Sequence, residues 1–376
     1  MEFGWTAEQR QRYDRTLVDA RAAFPAEPEY TFSRDKWTLL GKLGVLGASV
    51  PTRYGGTGLG ALDTARQFEA VGNGCPDTGL VFAAAAHLFA CTMPIVAFAA
   101  AESRDRLLPG LAAGDLVAGN AMTEPDAGSD VGRLSTTAVP ADGGFRLNGT
   151  KSFVSNGPVA DVFVTYAVTD PAAGHWGISA FVVDAAAPGV RVGTPLRKLG
   201  MEGCVASEVE FTDCFVSADA VLGEPGQGSA IFQHSMGWER ACLFALYLGV
   251  QDRLIARCVS HVRERRQFGH RLSEFQSVTN RIVEMTLRVE SARLLLYRAC
   301  WALDVDEPAT LHAALSKLAV SEGTVTSASD AIALFGSRGY LREWGIEAAL
   351  RDAIGGTIFS GASDVQRQLV AMELGL

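Results

Sequence analysis

The sequence predicts an α+β fold in which a helical N-terminal domain, a central β domain and a C-terminal helical bundle follow one another. Three observations carry this. Helix-forming sequence, broken by turns such as TRYGGTGLG at 52–60 and NGCPDTG at 73–79, fills residues 1–117. Over 118–223 it gives way to short runs rich in Val, Phe and Thr: FRLNG at 145–149, DVFVTYAV at 161–168, GISAFVVD at 177–184 and SEVEFTDC at 207–214. Gly, Pro and Asp separate these runs, as expected of strands joined by turns. Helical spacing then returns and fills 224–376.

Within the N-terminal part, the apolar stretch from Gly79 to Ala101 contains His87 and Pro94 and is mostly Ala. It reads as a buried helix interrupted near Pro94 rather than a membrane span. In the C-terminal part, Leu243, Val250, Leu254, Cys258 and Val262 lie near one face of a long helix. Ile282, Met285, Val289, Ala292 and Leu296 step by three and four, the spacing of a bundle helix. No internal repeat or low-complexity linker interrupts this order.

The bulk numbers agree with a folded enzyme-sized chain. Its 376 residues suggest two or three domains at roughly 150 residues each. The formal charge is −9, from 33 basic and 42 acidic residues, without a long run of one sign. Nucleic acid and anionic membrane, which demand clustered Lys and Arg, are therefore not expected partners. The segment MEFGWTAEQRQRYDRTLVDA is polar and amphipathic and does not read as a secretory leader. Seven Cys form no CxxC pair and no metal-ligand spacing, so free buried thiols in a cytoplasmic protein and no metal are expected.

The motif richest in chemistry is AMTEPDAGSDVGRL at 121–134, where the hydroxyls of Thr123 and Ser129 flank the turn-forming run Pro125–Gly128. Backbone N–H groups and hydroxyls on such a turn suit a pyrophosphate and the polar edge of a flavin. In LNGTKSFVSNGPVAD (147–161), Phe153 lies two residues before Ser155, which on a plain strand puts both on one face. A ring there can cover a flavin while a hydroxyl reaches its edge. The glycines at 56, 58 and 60 do not form a dinucleotide fingerprint, because no apolar strand leads into them and no acidic residue follows at ribose-binding distance.

Together with PLRKLGMEGCVASEVEFTDCFVSADAVLGEPGQG (195–228), WERACLF and RERRQFGHRLSEFQSV (263–278), these motifs resemble the acyl-CoA dehydrogenase family in their order and separations. The resemblance runs from the Tyr54 turn to SDVQRQLV at 363–370. It implies an N-terminal α domain, a central β-barrel domain, a C-terminal four-helix bundle, bound FAD and a homotetramer. It further implies that Met122, Thr123, Ser129, Phe153 and Ser155 contact the cofactor. Arg265, Gln267 and Phe268 resemble residues that reach the FAD of a neighbouring subunit.

The reaction implied is α,β-dehydrogenation of an acyl thioester: a carboxylate removes the α proton and the β hydrogen leaves as hydride to flavin N5. Many family members take that carboxylate from a Tyr-Glu-Gly-Thr segment, which here reads Phe359-Ser360-Gly361-Ala362. In the isovaleryl and long-chain branches the Glu comes instead from the start of the first bundle helix. Gly237-Trp238-Glu239-Arg240 stands there, so Glu239 is the expected base, with Arg240 and Ser360 in the catalytic set and Asp364 as the fallback base. Ser360 is expected to act through its backbone N–H on the thioester carbonyl. Ala333-Leu334-Phe335-Gly336-Ser337 and Ala362 depart from the family's residues facing FAD.

Two carriers for the acyl group fit, CoA and a carrier protein, the second including prolyl groups oxidised towards pyrrole. An electron-transfer flavoprotein or oxygen is the expected acceptor. A flavin monooxygenase or oxidase and a non-catalytic paralogue are the competing readings.

Overall fold

The computed structural model describes residues 4–25 and 29–376, so the first three residues of the N-terminal segment lie outside it. The chain opens with α1 (Ala7–Ala23) and α2 (Arg34–Lys42). Thr6 closes a capping box on α1, its hydroxyl accepting from Gln9 N while Gln9 returns a bond to Thr6 N, and Ser33 caps α2. A tight turn at Thr52–Tyr54 follows, then α3 (Ala61–Gly74). The glycine-rich turn serves close approach here: a Cβ on Gly60 would stand 2.5 Å from Asp304 Oδ1, and that carboxylate accepts from Ala61 N and Leu62 N at the positive end of α3.

The apolar stretch forms α4 (Thr78–Ala85), a π turn (Ala86–Thr92) and α5 (Met93–Phe98), followed by α6 (Ala101–Ala113). The expected interruption at Pro94 does not occur; the chain stays helical from Thr78 to Phe98, and 89% of its most apolar window is buried in the protein. The wider π turn just before Pro94 accounts for this, because it relieves the clash between the ring and the carbonyl one turn back. His87, inside the π turn, is fully buried and accepts from Ala118 N, so its other nitrogen donates to Leu111 O. Burial pushes its imidazole down to about 4, and it is neutral.

The strands are β1 (Ala118–Ala121), β2 (Thr137–Ala141), β3 (Gly144–Ser155), β4 (Val162–Val168), β5 (Ile178–Asp184), β6 (Val190–Val192), β7 (Ala206–Ser217) and β8 (Val221–Leu222). They form one sheet in the order β6-β7-β3-β1-β4-β5-β8, with β2 pairing β3 and β4 beyond β1. β4 is buried from Val162 to Ala167 because both its faces are covered, and its Thr165 hydroxyl donates to Ala121 O. Val162, Val164 and Tyr166 join the core shared with the helices, and Phe163 and Ala167 join a second core with Leu147, Phe181 and Phe211.

The C-terminal part holds α7 (Gly228–Trp238), a π turn (Glu239–Leu243), α8 (Ala245–Glu264), the hairpin β9 (Arg266–Gln267) and β10 (His270–Arg271), α9 (Gln276–Asp304), α10 (Thr310–Phe335), α11 (Ser337–Tyr340), α12 (Glu347–Gly356) and α13 (Ser363–Glu373). The expected apolar faces are the buried ones: Leu243, Val250, Leu254, Cys258 and Val262, and on α9 Met285, Val289, Ala292 and Leu296, with Ile282 half-buried. All seven cysteines are free and buried.

One buried ion pair joins the sheet to the loop after β1. Lys151 Nζ meets Glu124 Oε1 at 2.7 Å, Tyr166 O at 2.6 Å and Met122 O at 3.3 Å, which uses all three of its donors. Glu124 also accepts from Ser135 N and Oγ at 2.6 Å and from Thr136 N. Burial alone would raise this carboxyl, but the Lys151 ammonium and those hydrogen bonds override it and hold Glu124 down at about 2. Its folded value lies below the ordinary one, so the stability it contributes is fully present above the ordinary carboxylate range and is lost as pH falls through about 2.

Lys151→Met leaves the Glu124 carboxylate buried without its counter-ion and is expected to cost about 3–5 kcal/mol, measured by denaturant unfolding. The double variant Lys151→Met/Glu124→Leu is expected to recover part of that loss.

Candidate active site

The 121–134 motif folds as a tight loop between β1 and β2. Glu124 and Ala127 exchange backbone hydrogen bonds at 3.1 Å around the Pro125-Asp126 turn, and Thr123 O accepts from Ser152 N at 2.7 Å. The loop is thereby laid against β3 where that strand is irregular. Register with β7 slips between Lys151 and Val154, and Phe153 takes a φ of 54°. A regular strand would put Phe153 and Ser155 on one face, and the bulge breaks that regularity. Phe153 and Ser155 nevertheless both lie on the less buried side, the ring 69% exposed and the serine half-buried, with Val154 fully buried between them.

Thr123 is half-buried and Ser129 exposed at this rim, and no atom stands within 4 Å of a Cβ built on Gly128. Met122 differs from the rest of the set: its side chain is 5% exposed and belongs to the helical core, while its carbonyl is taken by Lys151. An open aromatic face beside two hydroxyls and a glycine-lined turn is the donor set that a flavin with its pyrophosphate requires, so these residues fit FAD.

Arg265, Gln267 and Phe268 are not brought to this rim. They sit at the far end of α8, about 30 Å along the helix from its start at Ala245 at 1.5 Å per residue. Phe268 is 91% exposed with a φ of 53°, so the hairpin holds an aromatic ring out from its own chain.

Glu239 opens the π turn that follows α7 and is 6% exposed. Ser360 Oγ donates to its Oε2 at 2.8 Å, while Oε1 has no partner among the described residues. Burial pushes this carboxyl up to about 7, the Ser360 hydrogen bond and the Arg240 guanidinium working against that rise. Ser360 reaches the carboxylate because the Ser360-Gly361 turn is left-handed, with φ of 52° and 86°. Arg240 also reaches this turn, one guanidinium nitrogen 3.4 Å from a Cβ built on Gly361.

Aromatic rings cluster on the segments that flank the buried carboxylate. Phe359 packs 4.3 Å from Phe82 and 5.9 Å from Phe244, and Trp238 stacks 6.3 Å from Phe89 between ring centroids. A buried carboxylate with a value near neutrality and one free oxygen is equipped to take a proton from carbon. Asp364 is not: its side chain is 96% exposed and pairs with Arg367, so it is no fallback base. Ala362, where the family has Thr, is the N-cap of α13 and supplies no side-chain bond.

The sequence reading missed Glu124 and Lys151, which set the loop's shape, and the two π turns. Residues 27 apart give no local pattern, and the one available sign was a lysine at an inward strand position.

Comparison with known proteins gives matches along the whole chain. Models of the acyl-CoA dehydrogenase N-terminal, middle and C-terminal domains match residues 6–115, 119–214 and 226–375. An L-prolyl-[peptidyl-carrier protein] dehydrogenase of Pseudomonas fluorescens is 51% identical over 380 residues, with all of both chains covered. Among solved structures, PigA with FAD and proline superposes with a TM-score of 0.97 at 40% identity over 100% of both chains. The prolyl acyl carrier protein oxidase AnaB does so at 0.96 and 39%, over 99% of this chain and 100% of that one. Three domain models in their proper order and relatives of this identity establish that the chain belongs to the acyl-CoA dehydrogenase family.

Proposed function

We propose that this protein is an FAD-dependent dehydrogenase that oxidises the Cα–Cβ bond of a prolyl or similarly small acyl group held as a thioester on a carrier protein, with Glu239 as the base. The observation that carries the reading is the buried Glu239 carboxylate, held by Ser360 at the position where other family members place a Glu. The prolyl and carrier-protein parts rest on relatives whose names state that chemistry.

Glu239 receives the α proton on Oε1, the oxygen left without a partner, while the Ser360 hydroxyl fixes Oε2 and with it the direction of the free lone pair. The Ser360 N–H takes part in no hydrogen bond among the described residues, so it is free to donate to the thioester carbonyl and strengthen the acidity of the α hydrogen. Phe82, Phe244, Phe359 and Trp238 exclude water and favour a compact acyl group. Thr123, Ser129, Phe153 and Ser155 would hold FAD, which would supply the two-electron acceptor for the hydrogen leaving Cβ. A Cβ on Gly237 would meet only Leu303 at 4.0 Å, so packing does not require glycine there and its bareness leaves room beside the base for a pantetheine arm.

The same reading includes a homotetramer in which Arg265, Gln267 and Phe268 complete the cofactor site of a neighbouring subunit. Phe268 and the apolar residues Val283, Leu287 and Leu294, all more than half exposed on one chain, support burial between subunits. An electron-transfer flavoprotein or oxygen would serve as the electron acceptor.

Glu239→Gln is expected to stay yellow yet lose at least about 10²–10⁴-fold in anaerobic flavin reduction by substrate, followed by stopped-flow absorbance; near-normal reduction would sink the role. In the wild type the reduction rate is expected to rise with pH through about 7, because only the ionised carboxylate accepts a proton. Ser360→Ala removes the bond that favours ionisation and should move that rise to higher pH. For the carrier, equal concentrations of prolyl-carrier protein, prolyl-CoA and a short prolyl thioester are compared. Fastest bleaching by the carrier-bound group is expected, and faster bleaching by CoA would leave an ordinary acyl-CoA dehydrogenase.

A further inference from the structure

Around the Ser360-Gly361 turn and on the adjoining α10, buried polar atoms stand unpaired, and of these only Glu239 Oε1 takes part in the reaction. Glu239 Oε1, Arg240 Nε, Lys317 Nζ, Ser363 Oγ and Gln366 Oε1 are all buried without a partner among the described residues. They are linked through few steps. Ser360 holds Glu239, Gln366 Nε2 donates to Gly361 O at 3.1 Å, and both Arg240 and Gln366 crowd the Cβ position of Gly361. Arg367, next to Gln366 on α13, pairs with Glu322 on α10 at 2.6 Å, which lays this part of α13 over the α10 turns that contain Lys317. Lys317 itself is 0% exposed, and its ammonium lies 5.6 Å from the centroid of Phe244, whose ring packs on Phe359.

A lysine buried with no acceptor is expensive to keep, and several unmet donors and acceptors in one place are the usual setting of internal water. A need for such water exists at this point. Glu239, once protonated, is buried and must lose its proton before another turnover. We propose that these groups line an internal water chain along which the proton taken by Glu239 leaves, with Lys317 as its inner relay and the Glu322–Arg367 pair at its solvent end. The inference rests on Glu239 being the base.

The step balances. The Glu239 carboxylic acid gives its proton to the chain, Lys317 passes one proton outward and takes one in, and one proton per oxidised Cα–Cβ bond reaches bulk water. Glu239 returns to carboxylate and Lys317 to ammonium. The charged groups facing Lys317 are Glu322 on its own helix, Arg240 on the π turn and Arg367 on α13. Burial, aided by the two arginines and opposed by Glu322, brings the amine down to about 8, where it both gives and accepts a proton near neutrality.

The test measures flavin bleaching and proton release, the latter with a pH indicator in weak buffer, in one anaerobic turnover of the FAD-loaded enzyme with prolyl-carrier protein at pH 8. In the wild type the two should coincide. In Lys317→Met and, independently, Gln366→Leu, bleaching of the prepared carboxylate should proceed while proton release lags by about tenfold or more. Lys317→Arg keeps the charge but does not deprotonate, so its lag should persist. In-step release in both Lys317→Met and Gln366→Leu, restoration of in-step release by arginine, or equal slowing of both signals with a lowered Tm would each overturn the relay. Normal bleaching in Glu239→Gln would instead overturn the assignment of the base, which keeps the two failures apart.

Discussion

The ammonium of Lys151 is the contact on which the rest of the cofactor-side architecture depends. Two segments distant in sequence offer it three acceptors: the loop after β1 through Met122 O and Glu124 Oε1, and β4 through Tyr166 O. All three donors are used in a fully buried position, so no water competes and no alternative loop conformation keeps the charge satisfied. Glu124, pinned in this way, spends its remaining lone pairs on Ser135 and Thr136 and fixes where the loop ends. The turn carrying Thr123 and Ser129 inherits its position from that pair. The bulge that follows Lys151 in β3 turns the Phe153 ring outward.

A second device sets the base side. Two π turns, Ala86–Thr92 and Glu239–Leu243, pack against each other, with Phe89 of one stacked on Trp238 just before the other. Each inserts a wide turn into an otherwise regular helix, a distortion that natural proteins keep mostly where function requires it. The first carries His87, whose ring joins the helix to the start of β1, and lets the helix pass through Pro94. The second carries Glu239 into a buried setting beside the Ser360-Gly361 turn, where burial lifts its carboxyl towards neutrality. Helix, sheet and C-terminal turn thus meet at one carboxylate because each is tied to its neighbour by a few fully buried polar contacts.

The family and the order of helical, β and helical parts were legible in the sequence for a physical reason: they depend on local composition, periodicity and motifs contiguous along the chain. Glu239 as a candidate was legible too, since a missing carboxylate at Ser360 leaves the Trp-Glu-Arg segment as the remaining place for one. Tertiary structure alone decided which of the singled-out residues share a space. It turned Met122 into the core, set Phe153 on a bulge, left Asp364 in solvent and carried Phe268 to the far end of α8. It also paired Lys151 with Glu124 and brought Gln366 and Arg240 to one turn. Contacts between residues tens or hundreds of positions apart leave no periodic trace in sequence, because they are set by burial and hydrogen-bond geometry that exist only once the layers have packed.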